Sequence, residues 1–120
     1  MPEPDPLTEA GATVQINGEI VSLTWYRDEN GTAMVSLKKL AECANWPYTP
    51  QEKSTVLGHV ISSFYTADTL ISLAVDDVDQ ANNALIWKED LFVNITFLRA
   101  LDLDVSLPGN QLVINFTVPE

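Results

Sequence analysis

A single cysteine and a single histidine stand among the 120 residues. One thiol, Cys43, cannot close a disulfide within the chain or build a thiolate cluster. With only His59 beside it, no nitrogen–sulfur site for zinc or copper can be assembled from one chain. Basic residues are scarce too: six Lys and Arg face 17 Asp and Glu, leaving a formal charge of −11 and a pI near 4.2. Such a field repels phosphate backbones and anionic lipid, which argues against nucleic-acid and membrane-surface roles. The five glycines are scattered singly at turns, so there is no glycine-rich loop to cradle a phosphate. No apolar run reaches the ~18 residues of a membrane span, and no basic-then-apolar signal segment is present. The lack of disulfides fits a cytosolic protein and an exported bacterial domain equally well.

What is present reads as a folded chain. Hydrophobic residues make up 46% and charged residues 19%, a globular composition. Area scaling gives about 6,400 Å² folded against about 19,000 Å² unfolded, enough burial for a core without staples. The opening Met1-Pro2-Glu3-Pro4-Asp5-Pro6 alternates proline with acid, a stiff and extended pattern. Residues 1–11 are therefore expected to be an acidic, proline-rich linker, of the kind that follows a removed signal or anchor, and 12–118 a single domain.

Local patterns predict the elements. Thr13–Ile16 and Ile20–Trp25 alternate about Asn17-Gly18, a strong hairpin signal. Asp28–Gly31 marks a turn, Ala33–Val35 a short apolar run, and Ser36 an N-cap for a helix with Leu37, Leu40, Ala41 and Ala44 at helical spacing. That helix should stop near Asn45, because Pro47 and Pro50 cannot continue it. Ser54–Leu57, Val60–Tyr65 and Leu70–Val75 return to period two, and Asp76–Asn83 reads as a polar connection. Ala84–Trp87 and Leu91–Val93 are further strands, Asn94 caps a second helix from Ile95 to about Leu101, and Val105–Leu107 with Leu112–Phe116 forms a terminal hairpin around Pro108-Gly109-Asn110.

An internal echo runs through these elements. Met34 and Phe92, Val35 and Val93, Ser36 and Asn94, Leu37 and Ile95, and Leu40 and Leu98 are each 58 residues apart. The spacing raises an internal duplication of a strand–helix–strand unit.

Segments 30–46 (NGTAMVSLKKLAECANW) and 89–105 (EDLFVNITFLRALDLDV) resemble the repeated unit of bacterial stalk domains, which are similar to the N-terminal domain of copper amine oxidases. The hairpin that opens with Val14–Glu19 is similar to that family's first strand. Ser36 and Asn94 stand where the family usually carries proline, Lys38 where it carries arginine, and Asn45 and Asp102 at or near its helix-ending glycine. The resemblance implies an α+β fold, an antiparallel β meander wrapped around one or two short helices. It also implies a non-catalytic accessory module of secreted or cell-surface bacterial proteins, without a cofactor, since the oxidases hold copper and quinone in another domain.

Reactive constellations are thin. His59 lies between Gly58 and Val60 with no Gly-x-Ser-x-Gly elbow near Ser62 or Ser63. Asp76, Asp77 and Asp79 invite a calcium reading shared with Asp68 or Asn82, but they lack the alternating spacing, glycine and terminal glutamate of an EF-hand. A solvated acidic turn is the simpler reading. Cys43 reads as a small apolar residue of the first helix, and Lys38 and Lys39 as a solvated helix face. The sequons at Asn30, Asn94 and Asn115 carry no functional weight beside their structural readings.

The aromatic residues Trp25, Tyr26, Trp46, Tyr48 and Trp87 fall at the ends of predicted elements, where rings suit sugar stacking or a protein hot spot. Trp46 and Trp87 also suit a roof over a small core, which leaves Tyr26 and Tyr48 as the expected exposed members. The expected function is a spacer or protein-interaction module. Its alternative is a carbohydrate or cell-wall binding module using these five residues.

Overall fold

The computed structural model describes residues 6–117; residues 1–5 of the expected linker fall outside them. Eleven strands and two short α-helices are present in the order β1 (Thr8–Ile16), β2 (Glu19–Arg27), β3 (Ala33–Ser36), α1 (Leu37–Ala44), β4 (Lys53–Val56), β5 (His59–Tyr65), β6 (Leu70–Val75), β7 (Val78–Asp79), β8 (Ala84–Trp87), β9 (Asp90–Asn94), α2 (Ile95–Ala100), β10 (Asp104–Ser106) and β11 (Leu112–Asn115). The class is α+β, weighted towards strand.

The strands form a seven-stranded sheet, β10-β11-β1-β2-β3-β9-β8, and a four-stranded sheet, β4-β5-β6-β7. This departs from a simple meander. β11 runs parallel to β1, pairing Val14 with Leu112 and Ile16 with Ile114, so the two ends of the chain meet inside one sheet. Val14, Leu112 and Ile114 are all buried there. Asn17 fastens the junction: its N–H donates to Ile114 O at 2.9 Å, and its Oδ1 accepts the Phe116 N–H at 2.8 Å.

β1 also starts earlier than the expected domain boundary. Thr8 and Glu9 already pair with Arg27 and Tyr26, and Leu7 is buried against Met34 and Phe92. Residues 8–11 therefore belong to the sheet; the apolar Leu7 and its cover decide this, where composition alone suggests a linker. Gly11 is needed by close approach, since a Cβ there would lie 2.4 Å from Trp25 Nε1.

Four tight turns place both central residues at positive φ: Asn17-Gly18, Leu57-Gly58, Asp76-Asp77 and Lys88-Glu89. Such turns match the twist of the strands they join. The expected polar connection 76–83 is thus a hairpin turn into β7, followed by a 3₁₀ turn at Ala81–Asn83.

The helices end as their sequences direct. Ser36 Oγ accepts the Lys39 N–H at 3.3 Å, and Asn94 Oδ1 accepts the Phe97 N–H at 3.0 Å. At the other ends Asn45 (φ 59°) and Asp102 (φ 62°) are left-handed. The next residues close the same 6→1 bond, Trp46 N to Ala41 O at 2.9 Å and Leu103 N to Leu98 O at 3.4 Å. Trp46 and Leu103, the apolar residues after the cap, are both buried. β3 and β9 pair antiparallel with Val35 opposite Val93, Met34 opposite Asn94 and Ser36 opposite Phe92. One core then joins both sheets and both helices, from Val14, Trp25 and Val35 through Leu37, Leu40, Phe97 and Leu98 to Val56, Ile61 and Leu73.

Candidate functional site

Alternation along the strands sorts the aromatic residues onto different surfaces. Trp25 points to the helix side of β2 and is fully buried, so it offers no ring face to a ligand. Arg27 lies over it, 5.2 Å from the ring centre. Trp46 is also buried, as the capping hydrophobe of α1, with Phe116 edge-on at 5.5 Å. Its Nε1 has no hydrogen-bond partner among the described residues. Tyr48 is half-buried rather than freely exposed; its hydroxyl shares a 2.8 Å hydrogen bond with the buried Ser63 Oγ. Burial pushes the Tyr48 phenol well above its ordinary value, and nearby Tyr65 and Asp90 add to that. Tyr65 is raised by burial first and Asp90 second. Neither phenol is poised to ionise near neutrality.

Tyr26 and Trp87 do come together. The register places Tyr26 opposite Met34, Ser36 opposite Phe92, and Phe92 opposite Leu85, so these side chains share one face of the sheet, opposite to that of Trp25. Tyr26 stands edge-on to Trp87 at 5.5 Å and to Phe92 at 5.3 Å. Phe92 and Trp87 are 5.8 Å apart, and Lys88 Nζ sits 4.5 Å from the Trp87 ring centre. Leu7, Met34 and Phe92 form the buried floor, while Tyr26, Leu85 and Trp87 stay half-buried around it. The sequence reading lacks Phe92, Met34 and Leu7 as members of this patch, because only the β3–β9 pairing across 58 residues brings them beside Tyr26.

A groove of about 350 Å³ opens next to the patch, between β2 and α1. Tyr26 and Phe92 form one wall, Ser22 and Thr24 supply hydroxyls, and Lys39, Glu42 and the half-buried Cys43 come from the helix. Ser36 at its end is committed elsewhere, donating to Asp90 Oδ2 at 2.7 Å. The groove offers an ammonium, a carboxylate and free hydroxyls against aromatic carbon. That set suits a polyhydroxylated or peptide-like group.

His59 heads β5 and is held from both sides. Its Nδ1 lies 2.6 Å from Asp76 Oδ2 and its Nε2 2.8 Å from Asp102 Oδ2. Asp76 is fixed in turn by the Val60 N–H at 2.9 Å. The Asp76 hydrogen bond foremost, with Asp102 adding to it, holds the imidazole above its ordinary value against a modest desolvation in the other direction. Asp76 is lowered by the same bond and by the Val60 amide. The imidazole therefore ties the β6–β7 turn to the turn after α2, and no serine is among its partners; Ser63 is bonded to Tyr48 instead. Asp102 also borders a cleft of about 450 Å³ with Asp104, Asn115 and Phe116.

The acidic turn is used internally as well. Asp76 holds His59, and Asp79 Oδ1 accepts the Ala81 N–H at 2.9 Å. Among the described residues no group of three or more His, Cys, Asp or Glu side chains is arranged to hold a metal ion. Among the described residues no helix is long and apolar enough to cross a membrane. No family model matches this chain, and no curated protein or solved structure matches it either.

Proposed function

We infer that this chain is a non-catalytic interaction module that meets its partner through the Tyr26–Trp87–Phe92 patch. The observation that carries the reading is the convergence of three aromatic rings on one solvent-facing side of the sheet, two of them half-buried. Large amphipathic rings at such a position supply contact area at little entropic cost. The commitment of the only imidazole to two carboxylates supports the non-catalytic part of the reading. A spacer role on an exported or cell-surface bacterial protein belongs to the same proposal and rests on the resemblance to stalk domains.

The duplication is part of this reading too. Val35 and Val93, 58 residues apart, face one another across the β3–β9 ladder, with Met34 opposite Asn94 and Ser36 opposite Phe92 placed symmetrically about them, and each unit runs strand, capped helix, left-handed stop and strand. A doubled ancestral unit related by a local two-fold axis accounts for both facts.

A second reading, carbohydrate or cell-wall binding, is favoured by the β2–α1 groove, where Tyr26 adjoins free hydroxyls, Lys39 and Glu42. Amide-shift mapping of the labelled chain with soluble wall glycans and with a cell-surface protein extract separates the two. Glycan-induced shifts at Tyr26, Ser22 and Thr24 support the second reading. Extract binding lost in Tyr26→Ala and Trp87→Ala, without glycan shifts, supports the first. Turnover of generic esters or peptides that His59→Ala abolishes would overturn both.

A further inference from the structure

The two sheets leave four strand edges without a partner strand among the described residues: β4, β7, β8 and β10. Three carry features that discourage pairing. β7 has two residues, β10 has three and begins with exposed Asp104, and β4 begins with exposed Lys53. β8 differs: Ala84-Leu85-Ile86-Trp87 contains no charge and no proline, and every residue is half-buried.

The outward groups of β8 follow from its turn. Lys88 and Glu89 both have positive φ, the geometry in which the flanking Trp87 and Asp90 form the hydrogen-bonded pair. Ile86 and Leu91 are then a non-hydrogen-bonded pair, so the N–H and C=O of Ile86 point away from β9, as do those of Ala84. Among the described residues no backbone bond outside the ladder occupies them. Acidic groups outnumber basic ones around it: Asp28 and Glu29 share a shallow depression with Leu85, and Glu89 follows at the turn, against the cation Lys88 that lies over Trp87.

We propose that β8 is a docking edge which accepts an extended, lysine- or arginine-rich segment of a partner protein as an added strand. Backbone pairing at Ala84 and Ile86 gives the strand its register, the acidic rim selects a cationic segment, and Leu85 and Trp87 supply apolar contact. A second copy of this chain is the wrong occupant, because each copy brings a charge of −11. The inference rests on the interaction-module reading and names the partner's chemistry for the side of the patch that Trp87 borders.

The test uses a capped Lys-Val-Lys-Thr-Lys-Val peptide titrated into the ¹⁵N-labelled chain. The expected result is amide shifts centred on Ala84 and Ile86, with affinity falling about tenfold when alternate peptide nitrogens are methylated, the cost of losing one or two hydrogen bonds. Ile86→Pro should weaken binding similarly, since an edge strand tolerates proline where its N–H faces outward. The methylated peptide gives the same answer without altering the protein. Equal binding of the methylated peptide overturns the proposal, as does concentration-dependent pairing of two copies through β8. Shifts confined to Tyr26 and the β2–α1 groove overturn the edge and leave the interaction-module reading standing. Absence of any binding to the cationic peptide overturns the edge as well.

Discussion

Replacing Ser36 by alanine removes two interactions with one atom. Ser36 Oγ accepts the Lys39 N–H at the start of α1 and donates to Asp90 Oδ2 at 2.7 Å, and the residue is 2% exposed. An N-cap is worth about 1 kcal/mol, and a hydrogen bond to a charged group about 1.5–3 kcal/mol. The Asp90 carboxylate keeps only the Leu91 N–H at 2.8 Å, so the combined loss is about 3 kcal/mol. Asn94, the N-cap of α2, accepts the Phe97 N–H at 3.0 Å but has only a long 3.4 Å bond to Asn83 besides. Asn94→Ala should therefore cost about 1 kcal/mol. For a domain of this size the melting entropy makes these losses about 12 °C and about 4 °C. Thermal unfolding of both variants by calorimetry and circular dichroism checks the values. A double-mutant cycle of Ser36→Ala with Asp90→Asn isolates the carboxylate contribution. Equal shifts for the two caps, or no coupling between Ser36 and Asp90, would refute the reasoning.

Other consequences are independent of that network. Gly11→Ala should destabilise by about 1–3 kcal/mol, because its Cβ would fall 2.4 Å from the fully buried Trp25 ring; denaturant melts measure it, and a neutral result would mean that the ring can move. The three tryptophans should quench unequally with acrylamide: Trp87 is half-buried while Trp25 and Trp46 are buried, so Trp87→Phe should remove most of the quenchable emission. The His59–Asp76 pair makes stability pH-dependent with a definite sign. A raised imidazole pKa adds stability that is complete below its ordinary 6.5 and is lost as pH rises through the folded value. A lowered Asp76 adds stability above its ordinary 3.8 that is lost as pH falls through the folded value. The pair should contribute most between those limits, and His59→Gln should flatten the corresponding part of the stability–pH curve.

Much of the local architecture is legible in the sequence, because capping and turn chemistry are local. Ser36 and Asn94 mark helix starts, Asn45 and Asp102 tolerate the left-handed stops, and Asn17-Gly18 writes its own hairpin. Asp76-Asp77 is harder to read, since it lacks the glycine that usually announces such a turn. The parallel β1–β11 pairing is invisible locally: it joins Val14 to Leu112 across the whole chain, and nothing near either strand specifies its partner. The site is legible in the same proportion. Tyr26 and Trp87 can be named as ring-bearing element ends, but Trp25 lies one residue from Tyr26 and therefore faces the opposite side of the sheet. Trp46 is drawn inward by the cap it completes, and Tyr48 by its bond to Ser63. The His59 clasp escapes the sequence reading altogether, because its two carboxylates lie 17 and 43 residues away.

The single histidine gives one uncluttered resonance on which the non-catalytic account can be judged. A proton-NMR titration of the His59 ring should place its pKa above the ordinary 6.5, and Asp102→Asn or Asp76→Asn should bring it down while the fold persists. An imidazole titrating at or below its ordinary value, untouched by either substitution and required for turnover of a substrate, would contradict the account.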